Sequence, residues 1–205
     1  MELFMNISPE DFKGKILNKE HLPSGLVVEG DLFLGGCTSL THLPSGLVVE
    51  GVFDLEGCTS LTHLPEGLVV KDWLDLRGCI SLTHLPSRLV VEGVFDLDGS
   101  LFLGGCTSLT HLPSGLVVEG SLHLKGCTSL THLPEGLVVE GNLYLNGCTS
   151  LTHLPCGLVV SGRIFCGISF IDKIPEEDLP LYINFNFFGE DYEYLTRRLQ
   201  GENIK

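Results

Sequence analysis

Leu26, Val28, Leu32 and Leu34 share even parity along the chain, with Gly30 in the middle of the run. That alternation is expected of extended chain with one buried face, and the glycine divides it into two short strands with a bend at Glu29-Gly30. After Leu34 the pattern changes to Cys37-Thr38-Ser39-Leu40 and then Leu43-Pro44. Proline holds its predecessor extended, so the spacing predicts a return segment that is polyproline-like or 3₁₀ rather than helical. Each unit therefore reads as strand, corner and narrow return.

The unit is copied along most of the chain. His21, His42, His63 and His84 step by 21 residues, and His111, His132 and His153 resume that step after one gap of 27. Cys37, Cys58, Cys79, Cys106, Cys127 and Cys148 keep the same rhythm. In the irregular unit, 84–110, VFDLDG (94–99) precedes SLFLGG (100–105), which predicts a bulge or a doubled strand. A unit this short cannot offset its own ordering entropy, but stacked copies share a core and a hydrogen-bond ladder. The fold class that follows is a mainly β repeat solenoid with short parallel strands.

GDLFLGGCTSLTHLPSGL and GNLYLNGCTSLTHLPCGL resemble the leucine-rich repeat. The return with its Leu-Pro is similar to short repeats of bacterial secreted effectors, and GCTSLTHLP to repeats of plant immune receptors. The resemblance implies a leucine-rich-repeat-like horseshoe or arc. One departure stands against it: the first apolar position of that strand motif falls on Glu29, Glu50 or Lys71, the apolar load having moved to the preceding Val-Val. A flatter, β-helix-like solenoid with two small sheets is the alternative.

Both ends read as caps. Residues 1–20 form a helical cap, with Ser8 as N-cap, Pro9 at the first helical position, Asp11 in a capping box and Ile7 with Phe12 as a hydrophobic staple. Residues 21–175 are the solenoid, ending in a decayed unit at 162–175. Residues 176–205 are a second cap, with a final apolar strand in LPLYINFNFF (179–188) and a helix bearing Tyr192, Leu195 and Leu199 on one face.

Composition narrows the function. Alanine is absent while leucine fills 38 positions, which argues against a helical bundle. A net charge of −14 repels phosphates and anionic lipid, so neither nucleic acid nor membrane is expected as partner. No secretory leader and no apolar stretch of membrane-spanning length is legible. The cysteines occupy one slot per turn, where they form a buried column, and the absence of CxxC pairs points to reduced thiols in a cytoplasmic compartment. Delivery into a host cell by another route stays open. Cys156 lies outside the column and is the candidate exposed thiol. The histidines before Leu-Pro read as a solvated outer row, since nothing supplies carboxylate supports at a fixed offset for a metal. Catalysis requires one nucleophile beside one base, whereas these residues come as copies, and GxSxG, HExxH and phosphate-binding loops are absent. No enzyme activity, metal or cofactor is expected.

What varies between copies lies between the strand leucines. The central position reads Phe33, Asp54, Asp75, Asp96, Phe102, His123, Tyr144 and Phe165, with Trp73 beside it, while the framework hardly changes. Strand alternation points these side chains away from the core, onto one continuous face. Aromatics flanking an acidic middle suit a basic, partly apolar protein or peptide. The expected function is thus a monomeric protein-binding module. The alternatives are a self-associating structural spacer and, from the resemblance, an effector that binds a host protein.

Overall fold

The computed structural model describes residues 5–92, 99–155, 157–182 and 185–201. The described residues begin with β1 (Met5–Ile7) and α1 (Pro9–Leu17), and the chain then winds through successive turns that each give one strand to either of two faces. On one face β3 (Leu32–Phe33), β5 (Phe53–Asp54), β7 (Leu74–Asp75), β9 (Leu101–Phe102), β11 (Leu122–His123), β13 (Leu143–Tyr144) and β15 (Ile164–Phe165) form one unbroken parallel sheet. On the other, β2 (Leu26–Val28), β4 (Val48–Val49), β6 (Val69–Val70) and β8 (Val90–Val91) join β1 in a five-stranded sheet. A separate three-stranded sheet holds β10 (Val117–Val118), β12 (Val138–Val139) and β14 (Val159–Val160). The molecule is a parallel β-solenoid with two strands per turn, the two-sheet arrangement that the displaced Val-Val predicts.

The bend between the two strands depends on glycine where neighbouring turns approach most closely. A Cβ on Gly141 would lie 2.7 Å from the Gly120 carbonyl carbon, and one on Gly162 would lie 2.5 Å from the Gly141 carbonyl oxygen. Inside, the alternating leucines and valines of every turn form one continuous core. The cysteine column is part of it: Cys58, Cys79, Cys106, Cys127 and Cys148 are buried, and each Sγ donates at 3.1–3.2 Å to a leucine carbonyl of the preceding turn. A small side chain with one weak donor fits a slot where an apolar residue would leave that carbonyl with one bond fewer. The returns contain no helix among the described residues; corner bonds such as Cys127 N to Leu124 O, at 3.0 Å, turn the chain instead.

The irregular turn breaks one sheet and spares the other. β9 pairs with β7 in register, Leu74 with Leu101 and Asp75 with Phe102, so the string 100–105 takes the strand seat. Residues 93–98, with most of the proposed second copy of that strand, lie outside the described residues. β8 and β10 do not pair, although their neighbours on both sides do. Two local changes coincide there. The six-residue insertion separates the two strands of this turn, and Arg88 stands where Gly25, Gly46, Gly67, Gly115 and Gly136 take left-handed φ. Arginine avoids that conformation and takes no positive φ here.

At the start, Ser8 caps α1 as its sequence predicts, accepting from the Asp11 amide at 3.1 Å and donating to the Asp11 carboxylate at 2.9 Å. Phe12 is fully buried and Ile7 packs on the core. β1 is an addition to the expected helical cap: its parallel pairing with β2 extends the Val-Val sheet by one strand. At the other end the expected strand over 179–188 is corrected. Leu179–Tyr182 is a helical turn, α3, because Pro180 lacks the ladder donor and because Leu179 and Tyr182, three residues apart, both reach the core. Among the described residues of the segment only Phe187 bridges Ile164. The decayed unit ends in α2 (Ile168–Ile171), and α4 (Glu190–Leu199) closes the stack with Leu195 buried and Leu199 against the core. Tyr192, expected on that face, is exposed, and Asp191 is buried instead. The Asp191 carboxylate accepts the Cys166 and Gly167 amides at 3.0 Å each, replacing the carbonyl that a following turn would have offered.

Candidate recognition face

The outward residues of the unbroken sheet stand in one line. Strand pairing sets Phe33 beside Asp54, Asp54 beside Asp75, Asp75 beside Phe102, and then His123, Tyr144 and Phe165 in sequence. In the second half the rings stack face to face. Phe102 to His123 is 4.5 Å between centroids, His123 to Tyr144 4.3 Å and Tyr144 to Phe165 4.6 Å, close to the strand spacing itself. Trp73 meets the edge of Phe102 at 5.8 Å. Phe188, which the repeat does not announce, adds a further ring at 4.7 Å from Phe165, with the Arg163 guanidinium 5.0 Å from its centroid. The stacked rings are half-buried, so their edges rather than their faces meet solvent. Burial in the stack, with the positive charge of Arg77 as the second cause, holds the His123 imidazole below its usual range, although nearby Asp75 opposes the shift.

Beside the ladder runs a row of side-chain acceptors. Asp31, Ser100, Ser121 and Asn142 each take the backbone N–H of the next turn at 2.8–3.0 Å, which fixes the spacing of the turns from the outside.

One expectation for the acidic middle is corrected and another falls outside the described residues. Asp75 is in line but not free: it is only 2% exposed, covered by Arg77, whose Nε and Nη2 donate to both carboxylate oxygens at 2.6–3.0 Å. Arg77 also donates to Glu56 at 3.1 Å. A carboxylate in a tight ladder has no room for a full water shell, and the arginine two residues on supplies the missing donors. Asp96 lies outside the described residues, and the ladder neighbour of Asp75 is Phe102 rather than Asp96. The acid that reaches solvent here is Asp54 and Glu56.

Other candidate chemistry sorts itself by geometry. The threonine before each of His42, His63, His84, His111, His132 and His153 bonds Nδ1 at 2.9–3.0 Å. The Thr83 and Thr110 hydroxyls also donate to the carbonyls of Thr62 and Thr83, at 3.3 Å each. The rings of His63, His84 and His111 lie parallel, 6.2–6.4 Å apart. Among the described residues the one group of three or more potential metal ligands close together is Asp54, Glu56 and Asp75, which Arg77 already occupies. Burial pushes the Cys58 and Cys148 thiols up to about 11, and those of Cys79 and Cys127 to about 12. Cys166 is also buried, and Cys156 lies outside the described residues.

Compared with protein-family models, curated proteins and solved structures, the chain matches none. The class of protein that its geometry defines is a capped parallel β-solenoid of 21-residue turns, with one outward ladder that changes from copy to copy. Among the described residues no helix is long and apolar enough to cross a membrane.

Proposed function

We propose that the chain is a non-enzymatic, leucine-rich-repeat-like module that binds a protein or peptide partner across the outer face of its unbroken sheet. The observation that carries this reading is the contrast between a framework that hardly changes and a ladder of Phe33, Asp54, Asp75, Phe102, His123, Tyr144 and Phe165 aligned by strand pairing. Ring edges set in a rigid row offer apolar contact at little cost in side-chain entropy, and the exposed acids at one end favour encounter with a basic segment. Phe33→Glu combined with Asp54→Lys tests it. Both side chains reach solvent, so the thermal midpoint stays within a few degrees while partner recovery by affinity capture falls at least tenfold. Equal recovery with both proteins contradicts the reading.

Self-association as a spacer is the second reading, favoured by the outer strands of the Val-Val sheets. β1 and β14 end their sheets, and Met5 and Val159 are exposed there. Sedimentation across a hundredfold concentration range separates the two readings, since a spacer grows with concentration and the recognition module stays monomeric.

A further inference from the structure

The recognition face is electrically divided along the axis of the stack. Among the described residues its first turns carry Asp31, Asp54, Glu56 and Asp75 against Arg77 on the strands, with Lys13 of α1 held on the Phe33 carbonyl at 2.8 Å. From Ser121 onward the outward positions are Ser121, His123, Lys125, Asn142, Tyr144 and Asn146, followed by Arg163 and Phe165, with no carboxylate among them. In a chain of net charge −14 that half is the exception. Arg163 is exposed, and among the described residues its guanidinium makes neither a hydrogen bond nor an ion pair, only the contact with the Phe188 ring. It borders an open hollow shared with Asn186, Phe188, Tyr192 and Glu193, and Glu193 does not pair with it.

We propose, on the strength of the reading above, that the partner is an extended peptide segment lying along the ladder, with a cation at one end and a carboxylate at the other. The cation meets Asp54, which among the described residues takes only the Glu56 amide, beside a Glu56 carboxylate that Arg77 already holds. The apolar middle lies on the ring edges of Phe102, His123, Tyr144 and Phe165. The carboxylate meets Arg163, whose planar fork suits bidentate contact. Five turns separate the two charged ends, about 24 Å at the usual strand spacing, which about seven extended residues span. The Asp75–Arg77 pair is neutral between them and sets no charge preference of its own.

Three fluorophore-labelled octapeptides, acetylated at the N-terminus and amidated at the C-terminus, with alternating threonine and valine between their terminal residues, test this by fluorescence anisotropy: one ending in Lys and Glu, one in Lys and Lys, one in Glu and Glu. The native protein prefers the Lys/Glu peptide by at least tenfold over either other. Arg163→Glu inverts the order in favour of Lys/Lys, and Arg163→Gln, which keeps the length of the side chain without its charge, brings the two within twofold. No saturable binding, or a preference that Arg163→Glu leaves unchanged, overturns the inference. The two claims fail separately. Partner capture that depends on Phe33 and Asp54 but not on Arg163 leaves the recognition face standing and removes the divided partner.

Discussion

Arg77→Ala is the perturbation that most sharply tests how the ladder tolerates a carboxylate. In the native chain three hydrogen bonds of 2.6–3.0 Å join the guanidinium to an Asp75 side chain that is 2% exposed. Removing one partner of a fully buried pair costs about 3–5 kcal/mol, because the other charge is left without compensation. Arg77 is itself half exposed, and solvent screening reduces the figure to about 2–3 kcal/mol. The backbone bond from the Arg77 amide to Asp75 at 2.9 Å survives the substitution and keeps the cost below the upper limit. Urea unfolding followed by far-ultraviolet circular dichroism reads the loss as a lower midpoint at unchanged slope. Asp75→Asn added to Arg77→Ala returns more than half of it, since the amide brings no charge into the ladder. A loss below about 0.5 kcal/mol for Arg77→Ala, or no recovery in the double variant, refutes the reasoning, because coupled groups must deviate from additivity.

Titration of His123 follows from its place in the ring stack. Its folded form resists protonation, while the unfolded chain takes the proton near pH 6.5, so its contribution is complete above that pH and is lost as the pH falls below it. His123→Phe, which keeps a ring in the stack, therefore gains thermal stability relative to the native chain between pH 7.5 and pH 5; a constant difference contradicts this. Asp191→Ala frees the Cys166 and Gly167 amides at the end of the stack, and their hydrogen exchange quickens at least tenfold while that of Leu122 holds, as local fraying requires. Cys58, Cys79, Cys106, Cys127 and Cys148 stay unreactive toward a disulfide reagent in the folded state and react in urea; labelling of these five in the native protein, mapped by peptide mass, argues against the buried column.

The stack was legible because repetition makes each position vote many times. Leu122, Leu143 and their equivalents keep one place in each 21-residue turn, with the same alternation around it, so periodicity and strand pairing had to agree. The Glu29, Glu50 and Lys71 departure was equally informative, since a charged side chain cannot hold a core seat and the paired valines before it can form a second sheet. Legibility ended where copying ends. Phe188 joins the ring stack 23 residues after Phe165, off the 21-residue step, so only three-dimensional closure places it there. LPLYINFNFF reads as strand by its apolar content, but Pro180 and the three-residue spacing of Leu179 and Tyr182 decide for a helical turn. Asp75 reads as surface acid by alternation, and that is its ladder position. Its burial depends on Arg77 folding back over it, an interaction between side chains that parity does not register.

The central claim is that successive copies lie one above the next with their changeable residues in line, and through-space proton contacts test it most directly. In a nuclear Overhauser spectrum of the selectively labelled protein, ring protons of Phe102 contact those of His123, His123 those of Tyr144, and Tyr144 those of Phe165, each at under about 5 Å as stacked neighbours on paired strands require. Missing contacts between these neighbours, or direct contacts between Phe102 and Phe165, contradict the stacked ladder and the recognition face built on it.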